Sequence, residues 1–133
     1  MAMSDGLSRT VLLVDDDADV RQVAAVILGE LGLRAIEAAC AEDAMEILRA
    51  GEPVDLLMTD LAMPGIGGME LAHLAKRLRP ELLVLYTSAY VRTSDQSRAL
   101  RYGPLIEKPW MLQQLRDVVE RLLPDRTVRD RSA

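Results

Sequence analysis

The chain has 133 residues, half of them apolar and only 3% aromatic, which fits one compact domain with an aliphatic core. Its formal net charge of −5 argues against a basic surface for nucleic acid. One cysteine excludes an internal disulfide, and one cysteine with one histidine does not favour zinc. No apolar run approaches a membrane span, and residues 1–9 contain no apolar signal segment. We expect a soluble cytoplasmic protein with no direct nucleic-acid or membrane partner.

Two predicted strands alternate with two predicted helices in the first half of the chain. Residues 11–14 form a continuous apolar run, which is typical of a strand buried on both faces. Asp17 can cap the helix that follows, and Gly32 can end it. The inward residues of that helix are predicted from their spacing to be Val20, Val23, Ala24, Ile27, Leu28 and Leu31. Residues 33–38 and 41–50 are the second predicted strand and helix, closed by Gly51.

The second half continues the alternation. A third strand is predicted over residues 54–59 and leads directly to Asp60. A Gly-rich loop follows, and a third helix is predicted to begin at Gly67 and Gly68. Residues 82–86, 95–102 and 105–106 are a fourth strand, a short fourth helix and a fifth strand. Two inward stripes are predicted, on the third and the last helix: Leu71, Ala72, Ala75 and Leu78; Leu112, Leu115, Val118, Val119 and Leu122. We predict one domain, residues 10–123, between flexible residues 1–9 and 124–133.

Five alternations of an apolar strand with an amphipathic helix predict an α/β fold with a doubly wound parallel sheet. Ligands of such sheets bind at the carboxyl ends of the strands. The first strand ends at Asp15 and Asp16, the third at Asp60, the fourth at Ser88, and the fifth near Lys108. Three carboxylates, a hydroxyl and an ammonium on one edge suit Mg²⁺ and a phosphoryl group, and Asp60 can act as the nucleophile.

Four motifs, VLLVDDD, LLMTDLAMPGIGG, TSA and EKPW, occur in this order along nearly the whole chain. Together they resemble the receiver domain of two-component response regulators. The resemblance implies a flavodoxin-like (βα)5 fold with strand order 2-1-3-4-5.

The resemblance also implies roles for individual residues. Asp60 would accept a phosphoryl group from a sensor histidine kinase or a histidine phosphotransfer protein. Asp15, Asp16, Asp60 and the backbone carbonyl of Ala62 would hold Mg²⁺, with Asp16 the more direct ligand of the acidic pair. Ser88 stands at the family's hydroxyl position. Lys108 would pair with Asp60 or its phosphate.

Three features near the fourth and fifth strands bear on signalling. Family members often have an aromatic residue where this chain has Leu105, so the usual aromatic switch cannot operate as such. The resemblance implies a cis bond between Lys108 and Pro109. Tyr90, two residues after Ser88, is a candidate shield of the phosphoryl group against water.

We expect a stand-alone phosphorylation switch with no output domain, which catalyses only its own phosphorylation and dephosphorylation. It would act on a downstream protein through the face of the fourth helix, fifth strand and last helix. One alternative is a small Mg²⁺-dependent aspartyl-phosphate phosphatase, although Ala62 cannot serve as its acid or base. Another is a flavodoxin-type electron carrier, which the scarcity of aromatic residues disfavours. His73 is expected to be a partly exposed residue of the third helix and not a phosphodonor. Cys40 is expected to be a loop or core residue, and Trp110 a packing residue.

Overall fold

The computed structural model of the chain describes residues 9–89, 102–108, 110 and 112–123. Within these residues, strands and helices follow in the order β1 (Thr10–Val14), α1 (Ala18–Glu30), β2 (Arg34–Ala38), α2 (Ala41–Arg49), β3 (Leu56–Asp60), α3 (Gly68–Leu78), β4 (Leu83–Ser88), β5 (Leu105–Glu107) and α4 (Leu112–Leu122). The fourth predicted helix lies almost wholly outside them, as do Tyr90, Pro109 and residues 124–133.

The five strands form one parallel sheet in the order β2-β1-β3-β4-β5. Both the predicted fold class and the predicted strand order are confirmed. The carboxyl ends of β1, β3, β4 and β5 therefore lie side by side at one edge.

The sheet is covered on both faces, which explains its continuous apolar strands. Alternate residues of β1, Leu12 and Val14, pack in one core cluster with residues of α2 and α3. Val11 and Leu13 pack in a second cluster with residues of α1 and α4. None of the described helices has the length and apolar character that a membrane span needs.

Helix α1 begins and ends where the sequence predicts. The Asp17 carboxylate accepts hydrogen bonds from the backbone N–H groups of Asp19 at 3.0 Å and Val20 at 3.3 Å. Gly32 follows the helix with a φ of +82°, a left-handed conformation that favours glycine. Asp17 and Gly32 thus fix the length of α1.

The predicted inward faces are wrong at three positions. Val23 in α1 is 57% exposed, because the helix buries only the narrower stripe around Ala24 and Leu28. Leu78 and Leu112 are 44% and 40% exposed. They are the last residue of α3 and the first of α4, where the helices reach beyond the core.

The third strand begins later than predicted because Asp55 takes over one of the hydrogen bonds at its start. The Asp55 carboxylate accepts the backbone N–H of Thr10 at 2.8 Å, so regular strand structure starts at Leu56. At the other end, hydrogen bonding continues through Asp60. β4 likewise continues to Ser88, since Thr87 and Ser88 pair with β5. An apolar run alone therefore understates how far these strands reach toward the site.

Candidate functional site

Asp60 is the last residue of β3, and its backbone is held by its neighbours. Its carbonyl oxygen accepts the Thr59 hydroxyl at 3.0 Å. The following N–H, of Leu61, donates to the Thr87 carbonyl of β4 at 2.9 Å. Gly68 packs directly on the Asp60 carbonyl group, where a side chain would not fit. The Asp60 residue, only 7% exposed, is thereby fixed at the sheet edge.

Asp15 and Asp16 follow β1 and differ in their freedom. Asp15 is buried; its N–H donates to the Ala38 carbonyl at 3.2 Å, and its Oδ1 accepts the N–H of Asp17 at 2.9 Å. Asp16 is exposed. Asp15 is therefore part of the turn itself, whereas Asp16 can turn toward a ligand.

Lys108 joins the acidic residues from the opposite side. Its Nζ donates to Asp15 Oδ2 at 2.7 Å and lies 3.4 Å from Asp60 Oδ2. Its backbone N–H donates to the Ser88 carbonyl at 2.7 Å. The nearer partner of Lys108 is thus Asp15, where the resemblance implied Asp60 or its phosphate.

Burial and charge act differently on the two central groups. Burial raises the pKa of the Asp60 carboxyl above its ordinary value; Lys108 opposes this rise, and the charge of Asp15 adds to it. Burial alone would lower the pKa of Lys108, but its hydrogen bond to Asp15 and the charge of Asp60 raise it overall. Lys108 is therefore an ammonium at neutral pH, and the charged form of Asp60 is less favourable in the protein than in water.

The carboxylates fit a divalent cation. Oxygen atoms of Asp15, Asp16 and Asp60 lie within 4.8 Å of one another. With Lys108 bonded to two of these side chains, the group keeps a formal charge of −2. A set of oxygen donors with this charge matches the preferences of Mg²⁺.

The remaining predicted site residues lie close by. Ser88 is the buried last residue of β4, one position beyond Thr87, which pairs with Asp60. Ala62 is exposed, and its backbone N–H donates to the Asp60 carboxylate. The structure thus brings Asp15, Asp16, Asp60, Ala62, Ser88 and Lys108 to one edge of the sheet.

Two residues at the site were missed by the sequence analysis. Arg21 donates from Nη1 to the Asp15 carbonyl at 2.7 Å, and Gly68 allows α3 to meet the Asp60 carbonyl. Arg21 lies in the first turns of α1, where a basic residue is not needed for capping. Gly68 was interpreted only as the start of a helix. Neither contact is visible in residue type or spacing alone.

A groove of about 280 Å³ opens beside the site. It is lined by Val20 and Val23 of α1, by Asp19, by Trp110 and by Lys108. Trp110 otherwise packs against the cluster formed with α1 and α4. The groove brings an exposed apolar part of α1 next to the ammonium that contacts Asp60 Oδ2.

Comparison with known sequences identifies response regulator proteins as relatives of this chain. The family model of the response regulator receiver domain matches residues 11–120. The chain is 31% identical over 117 residues to the response regulator receiver protein CpdR of Brucella abortus, covering 86% of this chain and 97% of CpdR. It is 33% identical over 110 residues to the response regulator protein PilR of Pseudomonas aeruginosa, covering 81% of this chain but only 24% of PilR.

Solved structures agree with this assignment. A response regulator receiver protein from Sinorhizobium medicae matches with a TM-score of 0.79 and 26% identity, over 87% of this chain and 94% of that one. Response regulator TrrA from Thermotoga maritima, solved in complex with Mg²⁺ and BeF, matches with a TM-score of 0.76 and 27% identity, over 86% and 99% of the two chains. Both the family model and these relatives cover most of the chain, and the chain therefore belongs to the response regulator receiver domain family of two-component signalling.

Proposed function

We propose that this chain is a phosphorylation switch in which Asp60 is the phosphoryl acceptor. One observation carries the proposal: the carboxylates of Asp15, Asp16 and Asp60 converge at the sheet edge, with Lys108 bonded to two of them. Receiver domains accept phosphoryl groups on an aspartate from sensor kinases or phosphotransfer proteins. Asp60 is the carboxylate of this group that lies at the end of β3, beside Ser88 and Lys108.

The transfer requires few protein groups. An Asp60 carboxylate oxygen attacks the phosphorus of a phosphohistidine, forming a P–O bond as the P–N bond breaks. The imidazole nitrogen keeps the electron pair of that bond and takes up a proton, and Asp60 becomes an acyl phosphate. We assign to Lys108 and Ser88 the binding of phosphoryl oxygens, by charge and by a hydroxyl donor respectively.

Asp16, Asp60 and the Ala62 carbonyl, with Asp15 behind them, are the residues that would hold Mg²⁺. When bound, Mg²⁺ neutralises charge on the phosphoryl oxygens and on the carboxylates. The clustering of three carboxylates within 4.8 Å supports this assignment, because a bound cation offsets their mutual repulsion.

We assign the phosphodonor protein to the groove between α1 and Trp110. A donor histidine must come within bonding distance of Asp60, and the groove borders Lys108, which contacts Asp60. Its exposed Val23 offers apolar contact area next to the reacting groups. Val26, also on α1 and 63% exposed, does not line the groove and provides a matched control.

We propose that the phosphorylated chain acts on a downstream protein through the face that includes β5, the last helix α4, and the helix predicted for residues 95–102. The acyl phosphate would shift that face between two arrangements. Within this scheme the chain works in the cytoplasm and catalyses only its own phosphorylation and dephosphorylation. Turnover of a separate phosphate ester is not expected, since Ala62 offers no acid or base.

Intact mass after incubation with Mg²⁺ and acetyl phosphate tests the acceptor. The wild type and a surface control, Asp43→Asn, should gain one phosphate. Asp60→Asn, or removal of Mg²⁺ with EDTA, should abolish the gain. An adduct that persists in Asp60→Asn would contradict the proposal.

A second experiment tests the donor site. Val23→Asp should slow transfer from a phosphorylated histidine phosphotransfer protein while leaving acetyl phosphate reactivity unchanged. Val26→Asp should affect neither reaction. Equal slowing of the transfer by both substitutions would argue against the groove.

A further inference from the structure

Arg21 in α1 reaches back over the turn between β1 and α1. Its Nη1 donates to the Asp15 carbonyl at 2.7 Å, and its Nε donates to Glu37 Oε1 at 3.1 Å. The Arg21 side chain is only 17% exposed. The planar guanidinium thus connects the first strand, the second strand and the first helix in one fixed geometry.

With Arg21 in place, the polar groups of Asp15 are all engaged. Its N–H bonds to Ala38, its Oδ1 to Asp17, its Oδ2 to Lys108, and its carbonyl oxygen to Arg21. Only the last of these contacts acts on the peptide plane that continues into Asp16. Because a peptide unit is planar, fixing that carbonyl also fixes the direction of the Asp16 backbone.

We infer that Arg21 is a positioning residue for Mg²⁺ binding, which acts by orienting the peptide between Asp15 and Asp16. Asp16 is exposed, and within the described residues its side chain makes no hydrogen bond or ion pair that would direct it. Its placement near Asp15 and Asp60 therefore depends on the backbone that Arg21 holds. This inference deepens the proposed function and rests on the proposed binding of Mg²⁺ by Asp16.

The direction of the change in Mg²⁺ affinity on replacing Arg21 distinguishes a positioning role from a simple effect of its charge. Arg21 carries a positive charge close to an anionic site, so by Coulomb's law its removal should tighten cation binding. Loss of positioning should weaken it. Substitutions of groups that orient metal ligands typically weaken binding by about 10–100-fold. We expect the lower end of this range, about tenfold, because Arg21 bonds the backbone beside the ligand rather than the ligand itself.

Arg34 supplies a matched control. Its Nη2 lies 3.1 Å from Glu52, the same separation as between Arg21 and Glu37. Arg34 begins β2, at the end of the strand away from the site, and its side chain is 58% exposed. Replacing Arg34 removes the same charge and a similar ion pair without touching the turn.

The experiment is calorimetric titration of the whole chain with Mg²⁺, without a phosphodonor. Arg21→Met should raise the dissociation constant about tenfold. Arg21→Lys keeps the charge but lacks the planar guanidinium that bonds both Glu37 and the Asp15 carbonyl. This substitution should raise the dissociation constant by a smaller factor. Arg34→Met should match the wild type. Faster hydrogen exchange at the Asp17 amide, which donates to Asp15, should accompany the loss in both Arg21 variants.

If the wild type binds Mg²⁺, three results would overturn the inference about Arg21 without affecting the proposed function. They are unchanged or tighter binding by Arg21→Met, equal weakening in Arg34→Met, and wild-type affinity in Arg21→Lys. The lysine variant also decides the question if Arg21→Met does not fold. A wild type that fails to bind Mg²⁺ would instead overturn the proposed function, and the inference with it.

Discussion

Gly68→Ala and Gly29→Ala make the same chemical change in two helices, yet they should have opposite effects. Both residues are helical, and alanine is the better helix former. A methyl group at Gly29 would meet nothing within 4 Å. At Gly68 it would lie 3.0 Å from the Asp60 carbonyl carbon and the Leu61 Cα, and closer still to the Asp60 carbonyl oxygen.

The magnitudes follow from these distances. Gly29→Ala should stabilise the chain by about 0.5–1 kcal/mol. At Gly68, restoring ordinary carbon contacts requires the start of α3 to move from the end of β3 by up to about 1 Å. Crowding of this kind costs about 1–3 kcal/mol. The Asp60 carbonyl cannot yield freely because it also accepts the Thr59 hydroxyl.

The displaced backbone is that of the phosphoryl acceptor, so reactivity should fall as well as stability. A misplacement of about 1 Å can cost up to about 100-fold in rate. Urea denaturation followed by circular dichroism measures the stability of both variants. Time courses of intact mass with acetyl phosphate and Mg²⁺ measure their reactivity, with Gly29→Ala expected to react like the wild type.

Equal stability of Gly68→Ala and Gly29→Ala, or a wild-type rate of Gly68→Ala with acetyl phosphate, would refute the predicted crowding at Asp60. Either result would mean that the loop between Asp60 and Gly68 absorbs a side chain without moving the acceptor.

Three further predictions concern charge and capping. Asp60→Asn should stabilise the metal-free chain by about 0.5–2 kcal/mol at neutral pH, since burial in the folded state disfavours the Asp60 carboxylate. This gain in stability should vanish below the ordinary pKa range of aspartate, where Asp60 is protonated in both the folded and the unfolded state. Lys108→Met should destabilise the metal-free chain by about 1–3 kcal/mol, because Oδ2 of the buried Asp15 loses its hydrogen bond. Mg²⁺ should raise the melting temperature of this variant by more than it raises that of the wild type. Asp17→Ala should destabilise the chain by about 1 kcal/mol through loss of the α1 cap, and Asp19→Ala by less.

Denaturation at several pH values, with and without Mg²⁺, checks these stabilities and the pH dependence of the Asp60→Asn effect. Destabilisation by Asp60→Asn at neutral pH would contradict the electrostatic account of the site. If Mg²⁺ raised the melting temperatures of Lys108→Met and the wild type equally, the charge of Lys108 would not weaken Mg²⁺ binding. Equal effects of Asp17→Ala and Asp19→Ala would remove the cap as the cause.

The sheet and its edge could be predicted because they depend on patterns that the sequence displays. Continuous apolar runs such as residues 11–14 are required of strands that are buried on both faces. Polar residues directly after such runs, Asp15 and Asp60 among them, must then meet at the carboxyl edge. The strand order came from the family resemblance, since apolar periodicity does not distinguish one neighbour from another.

The remainder depends on tertiary geometry. Val23 fits the helical period of α1 but is exposed, because how much of a helix is covered depends on its neighbours. The shorter bond of Lys108 to Asp15 than to Asp60 depends on side-chain reach across the sheet edge. The bond from Arg21 to a backbone carbonyl has no counterpart in residue type or spacing.

Direct location of the phosphoryl group tests the central claim most sharply. Borohydride reduces an acyl phosphate of aspartate to homoserine, which peptide mass spectrometry then assigns to a position. After incubation with a phosphorylated histidine phosphotransfer protein and Mg²⁺, we predict homoserine at position 60 of the wild type and at no position in Asp60→Asn. Homoserine at position 15 or 16, or stable phosphate on His73, would contradict the assignment of Asp60 as the acceptor.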